Sequence, residues 1–352
     1  MVRFAQDCRL LFMFPISPLS NPLIAWVNPN FLNTPTIVLM AVVLGLLAVV
    51  YVIGVLIQRQ PESSLNPAVV RAFNSRVRAW WLMFLILTSA VLLGKTITVI
   101  LFGGVSFWAL REFITLTPTR QGDHRTLFWI FFLFTPLQYF LVGRGIEYYG
   151  LYSIAIPVYV YLFIAARIAL AGDFKRFLER TAKIQAGMMI CVYSLSYAPA
   201  LLYLTFKNQD GSQWSGSPAS VLFYFILIVQ AGDVFQYIWS KWVGKRVIAP
   251  NINTSRTWEG FFGGTLSTTL LGTVLWGVTP FNHWQAAFMS LICSVMGFAG
   301  GMTMSAIKRD RGVKDYGTLV EGHAGILDRI DSLCFAAPVF FHLSRFIFSM
   351  NV

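Results

Sequence analysis

SAIKRDRGVKDYGTLVEGHAGILDRID, residues 305–331, is the stretch from which the rest of the chain can be read. It holds the cations Lys308, Arg309, Arg311, Lys314 and Arg329, the carboxylates Asp310, Asp315, Glu321, Asp328 and Asp331, and one histidine, His323. Apolar runs of helical length flank it, 284–307 before and 332–350 after. Charge of both signs set against membrane-length segments is costly unless it is used. The window therefore marks a polytopic membrane fold and a functional site within it.

Composition agrees. The chain has 352 residues, 56% of them hydrophobic and 12% charged, against about 25% charged in a soluble domain. No polar linker divides it, so residues 1–352 are expected to form a single integral membrane domain. A net charge of +12 would suggest nucleic acid in a soluble protein. In a membrane protein it follows from Lys- and Arg-rich loops on the cytoplasmic side, and no nucleic-acid partner is expected.

Ten apolar spans are predicted, which makes the fold class all-α: 36–57, 80–93, 96–114, 125–142, 151–170, 184–206, 217–239, 262–278, 284–307 and 332–350. The second and third are divided only at Gly94-Lys95. The loops test the number. Alternate loops, 58–79, 111–125, 167–183, 241–258 and 308–331, carry 4, 3, 5, 4 and 5 Lys and Arg, or 21 of the chain's 27. Arg3, Arg9, Lys95, Arg144, Lys207 and Arg345 are the other 6. Fusing spans two and three would destroy the alternation. The split places the charged window in the cytoplasm and both termini outside, as in a protein of a bacterial inner membrane.

Several features carry no chemistry. Cys8, Cys191, Cys293 and Cys334 form no CxxC pair and read as small core residues, not a disulfide or zinc framework. The run 10–15 is too short for a cleavable signal peptide. Gly94-Lys95-Thr96 lacks the earlier glycine of a phosphate-binding P-loop, since Ser89 stands there. Gly260-xxx-Gly264 and Gly297-xxx-Gly301 are small-residue pairs that let helices approach. Arg111-Glu112 and Asp123-His124-Arg125 read as solvated loop charges.

The window does carry chemistry. Positive-inside loops need no acids, yet Asp328 and Asp331 stand three apart, on one face of a helix. Asp315, before Gly317, can be turned back toward them. Three carboxylates beside several cations suit a polyphosphate held through Mg²⁺, which takes one or two carboxylates plus phosphate oxygens. A mutual salt-bridge network is the competing reading. His323, between Gly322 and Ala324-Gly325, is either structural or a contact to phosphate or base. Upstream, Asp233 is an intramembrane carboxylate and so a functional candidate, with a helix–helix hydrogen bond as its bland alternative. Lys245, Arg246, Arg256 and Glu259 follow it in the next loop.

At these residues the chain resembles the phosphatidate cytidylyltransferase (CDP-diacylglycerol synthase) family, whose signature runs S-x-x-K-R-x-x-x-x-K-D-x-G-x-x-x-P-G-H-G-G-x-x-D-R-x-D. Ser305, Lys308, Arg309, Lys314, Asp315, Gly317, Gly322, His323, Gly325, Asp328, Arg329 and Asp331 fall in register with it. Asp233 and the run Arg256-Thr257-Trp258-Glu259-Gly260-Phe261-Phe262-Gly263-Gly264 match the family's upstream pattern. The specific likeness covers about the C-terminal third, with 217–331 as the catalytic region. Glu321 replaces the family's proline, Ala324 its second glycine after histidine, and Ser255 the lysine before Arg256.

The resemblance implies reaction of CTP with phosphatidate, or a related lipid phosphate, to give CDP-diacylglycerol and pyrophosphate with Mg²⁺ or another divalent cation. It implies catalytic roles for Asp315, Asp328, Asp331, Lys308 and Arg309, and substrate binding by Ser305, Lys314, His323, Arg329, Arg256 and Glu259. Asp315, Asp328, Asp331 and Asp233 are the expected metal ligands. Membrane lipids surround the chain, and a homodimer is allowed for. A transporter or flippase is the rival of another class, but no inverted repeat is found.

Overall fold

The computed structural model describes residues 33–58, 67–116, 119–313 and 325–350. Cys8 and the 10–15 run lie outside the described residues, as do Lys314, Asp315, Gly317, Glu321, Gly322, His323 and Ala324. Ten long helices run through the described part: α1 Thr34–Gln58, α2 Pro67–Leu93, α3 Lys95–Leu116, α4 Gln121–Gly143, α5 Ile146–Ala169, α6 Phe177–Tyr203, α7 Pro218–Trp242, α8 Trp258–Val278, α9 His283–Asp310 and α10 Leu327–Phe348. The last eight have the length and composition to cross a membrane, while α1 and α2 contain shorter apolar stretches, Thr34–Val49 and Trp80–Leu93. The all-α polytopic fold stands as read from sequence, with eight helices of spanning length and composition among the described residues where ten spans were expected. Helices suit this setting because every backbone group is satisfied inside the segment.

Local residues set the boundaries. Gly94 has φ +117° and separates α2 from α3, a left-handed conformation that suits glycine. The Gly-Lys-Thr tripeptide is thus a helix–helix joint. Ser217 caps α7, with Pro218 in its first turn. Asn282 and Gln285 form a reciprocal capping box on α9. Helix α2 begins at Pro67, well before the expected 80, since a proline opens a helix readily and no later proline stops it. Three long helices contain a π-helical stretch, Ile130–Phe134, Ala155–Val160 and Met188–Ser194. One includes Pro157, which lacks the N–H that a regular turn needs. A two-stranded antiparallel sheet, β1 Val247–Ala249 and β2 Asn253–Thr257, joins α7 to α8.

Side-chain contacts sort the loops into two ends. At one end Arg120 pairs with Asp173, Arg180 with Asp123, and Arg311 with Glu179, while Arg309 donates to the carbonyl of Ile252. Four of the five cation-rich loops therefore meet there. At the other end the Asn33 side chain bonds the carbonyl of Ser215 and Gln209 bonds Gln285, while the backbone amide of Lys207 donates to the carbonyl of Phe348. Those four loops, alternate along the sequence, thus share one end in space.

Glu112 and Asp123 correct the sequence reading. Arg111, His124 and Arg125 are exposed, as solvated charges should be, but Glu112 and Asp123 are buried. Asp123 lies under α6, where Arg180 covers it. Glu112 faces α10.

Helix α10 packs on α9, α7, α6 and α3, so it is the wall shared by the two halves of the bundle. Close helix contact on the α7–α10 side rests on glycine. A Cβ at Gly264 would come within 2.5 Å of Gln236, one at Gly260 within 2.8 Å of the Gln236 carbonyl, and one at Gly300 within 2.7 Å of the Asp331 carbonyl. The packing role expected of the small-residue pairs holds. Cys191, Cys293 and Cys334 are free and buried, as expected.

Candidate active site

The site lies at the cation-rich end, where α7, β2, α9 and the first turns of α10 converge. Asp233 is presented by α7 on the face that also carries Gln236, three residues later. Arg256 reaches both from the end of β2: its guanidinium donates to Asp233 Oδ1 at 2.9 Å and to Gln236 Oε1 at 2.7 Å. Gln236 in turn donates to the Ser294 hydroxyl of α9 at 3.3 Å. Space for Arg256 is supplied by Gly301, where a Cβ would stand 3.2 Å from the guanidinium. That glycine does more than let helices approach.

Helix α10 brings the second carboxylate. Ser332 Oγ donates to Asp233 Oδ2 at 2.5 Å and lies 3.4 Å from Asp331 Oδ1, which also accepts from the Ser332 amide at 2.8 Å. Asp233 therefore does bond a neighbouring helix, as its bland reading held, and also joins a charged cluster. Among the described residues Asp331 forms no ion pair, and Arg256 pairs with Asp233. Two carboxylates thus share one hydroxyl beside one guanidinium.

Lys308 Nζ pairs with Asp328 Oδ1 at 2.8 Å, the salt-bridge reading realised for these two. Arg309 supports the hairpin through the Ile252 carbonyl at 3.1 Å. Ser305 accepts from Asn253 of β2 at 3.2 Å and donates back to the Gly301 carbonyl at 2.7 Å. The carbonyl of Arg329 accepts from Gln230 of α7 at 3.2 Å. Glu259 accepts from the backbone amides of Lys245 and Arg246 at 3.1 and 3.2 Å, so its carboxylate shapes the turn before β1. Thr257 caps α8 through the Gly260 amide at 3.1 Å.

The structure thus gathers Asp233 of α7, Arg256 of β2 and Asp331 of α10 into one cluster, and Lys308 of α9 with Asp328 of α10 into another. Lys314, Asp315 and His323 lie outside the described residues. Gln236 and Ser332 were not expected from sequence. Their signal was spacing: each sits beside or one turn from a carboxylate already singled out. Among the described residues no three His, Cys, Asp or Glu side chains form a metal cage. The Asp233–Asp331 pair still fits a divalent cation of the Mg²⁺ kind, which needs only one or two carboxylates when phosphate oxygens complete its shell. Carboxylate acceptors and guanidinium and ammonium donors, brought together from α7, β2, α9 and α10, have the charges that suit a polyphosphate.

The fold is that of a polytopic membrane protein, and the match to a family model supports a nucleotidyltransferase. The chain belongs to the cytidylyltransferase family, whose model matches residues 74–347. It is 36% identical over 273 residues to Uncharacterized protein YnbB of Escherichia coli, covering 77% of this chain and 87% of that one. A phosphatidate cytidylyltransferase of Staphylococcus haemolyticus is 32% identical over 152 residues, 42% of this chain and 56% of that enzyme. One from Bacillus subtilis is 36% identical over 124 residues, 35% of this chain and 46% of that enzyme. The chain thus spans about half the length of these named enzymes.

Proposed function

We propose that the protein transfers a cytidylyl group from CTP to phosphatidate, giving CDP-diacylglycerol and pyrophosphate for phospholipid synthesis. The observation that carries this reading is the Asp233–Asp331 pair with Arg256 in a membrane-embedded cluster. It is a site with two carboxylates for a metal and adjacent cations for phosphate. The named enzymes that resemble this chain support the choice of nucleotide and lipid.

In the reaction a non-bridging oxygen of the lipid phosphate forms a bond to the α-phosphorus of CTP. The bond from that phosphorus to the α–β bridging oxygen breaks, and its electron pair leaves with pyrophosphate. A phosphate monoester has a second pKa of about 6, so the attacking oxygen is already anionic and needs no general base. The chain's task is to bring two polyanions together and hold them in line. Arg256, Lys308, Arg309, Lys314 and Arg329 supply the positive charge, with Ser305, His323 and Glu259 shaping the substrate site. Asp233 and Asp331, with Asp328 and Asp315, would hold Mg²⁺, which when bound supplies Lewis-acid neutralisation of the triphosphate. The site would face the cytoplasm from a bacterial plasma membrane, on the 21 to 6 division of cations.

A related lipid phosphate is the second reading. Two observations favour it: the long match is to YnbB, and Glu321 and Ala324 depart from the family signature. The test is purified protein with CTP and a panel of lipid phosphates, measuring pyrophosphate release. Release with phosphatidate and Mg²⁺, lost on chelation and restored by Mg²⁺, is expected. Release with a different lipid alone selects the second reading. A folded protein that releases none with any lipid phosphate overturns both.

A further inference from the structure

Glu112 stands on α3, far along the chain from the charged window, yet it touches the helix that carries two of the site's carboxylates. Its side chain is buried. Oε1 accepts from the amide of Ile326 at 3.1 Å and Oε2 from that of Leu327 at 2.9 Å. These are the N-cap and first residue of α10, whose own N-cap residue offers no side-chain cap. Asp328 is the next residue and Asp331 follows within a turn.

A helix N-terminus presents unpaired amides and partial positive charge, and normally draws a capping oxygen or an anion. Here a carboxylate from another helix takes that place with both oxygens. Its own support is stiff: a Cβ at Gly187 of α6 would come within 2.9 Å of the Phe113 ring beside it, so α3 and α6 meet without slack. The position of α10 along its axis is therefore referred to α3, and two of its leading amides are not free for a phosphate.

From this we infer that Glu112 is a positioning residue for the transfer reaction. By seating the N-terminus of α10 it sets Asp328 against Lys308 and Asp331 against Asp233. It also leaves triphosphate binding to the side-chain cations, since the first amides of α10 are occupied. The kinetic part rests on the cytidylyl-transfer reading; the structural part does not.

The test uses the full-length protein and E112Q, E112A and E112D. Hydrogen exchange at residues 326–331 is compared with exchange at 258–264. Mn²⁺ binding is followed by magnetic resonance, and kcat and KM are measured for CTP and lipid phosphate. In E112A the 326–331 amides should exchange faster while 258–264 stays protected. Mn²⁺ should bind more weakly. Turnover should fall by about ten- to a hundredfold, the scale of a displacement near 1 Å at reacting groups, with KM for the lipid unchanged. E112Q, which keeps one acceptor, should lie between E112A and wild type, and E112D should restore part of both effects. Unchanged protection at 326–331 overturns the inference. So does activity that falls only with the folded fraction while Mn²⁺ affinity holds. Should wild type lack cytidylyl transfer, the exchange and Mn²⁺ measurements still decide the role of Glu112, and that failure belongs to the proposed function.

Discussion

Two arginine–aspartate pairs sit at the cation-rich end of the bundle, and they differ in how completely they are closed. Arg180 and Asp123 are 4% and 0% exposed. Arg180 spends its remaining donors on the carbonyls of Asp173 and Lys175, each at 3.0 Å, and Asp123 also accepts from the Arg120 amide at 3.0 Å. Arg256 and Asp233 are 17% and 27% exposed. Asp233 has a second carboxylate, Asp331, close by through Ser332. A buried pair with most of its donors and acceptors engaged holds helices together. A pair left partly open, beside a like charge, has capacity for a ligand.

Removing one partner of the closed pair strands a buried charge. Asp123→Asn should cost about 3–5 kcal/mol of stability, seen as a lower thermal midpoint in detergent, while turnover per folded molecule stays at the wild-type value. A large turnover defect in folded Asp123→Asn would erase the distinction between the pairs.

The open cluster should respond in the opposite way. Asp331→Asn and Asp233→Asn each keep shape and hydrogen bonding but remove charge where charge must be balanced. Turnover should fall by at least about a hundredfold, or about 2.7 kcal/mol of barrier, with a thermal midpoint close to wild type. Near-wild-type turnover in Asp233→Asn would return that residue to a purely helix-joining role.

The smallest effect lies at the rim. Arg120 bonds both oxygens of Asp173, at 3.0 and 2.8 Å, and this holds the Asp173 carboxyl below its usual range. A carboxyl with a depressed folded pKa stabilises above its unfolded value, near about 3.9, and loses that contribution as pH falls through the folded value. Exposed pairs contribute little. The thermal midpoints of wild type and Asp173→Asn should differ slightly at pH 6 and converge below about pH 3.9. A difference that grows on acidification would contradict this assignment.

Much of this was legible in the sequence because membranes make strong demands. Apolar runs of helical length and alternating loop charge are consequences of spanning hydrocarbon, and the break at Gly94-Lys95 is visible as an interruption of one such run. The carboxylates at 233, 328 and 331 were legible because ionisable groups beside apolar spans are rare. What stayed hidden was pairing between distant segments. Glu112 and Asp123 look like loop charges because they stand at span ends. Only the packing of α3 on α10, and of α4 under α6, buries them. Gln236 and Ser332 are ordinary polar residues until Arg256 and Asp233 are seen to reach them. The π-helical stretches left no clear trace in the pattern of apolar residues.

On the proposed function, the open cluster moves the cytidylyl group of CTP, with its α-phosphorus, onto a membrane lipid. The most direct measurement gives purified protein, phosphatidate and Mg²⁺ CTP labelled at either the α- or the γ-phosphate, and follows the organic-soluble fraction. The α-label should enter lipid in step with pyrophosphate release, the γ-label should stay in pyrophosphate, and Asp331→Asn should abolish the transfer. Lipid labelled from the γ-position, or equal α-transfer by the folded Asp331→Asn variant, would contradict it.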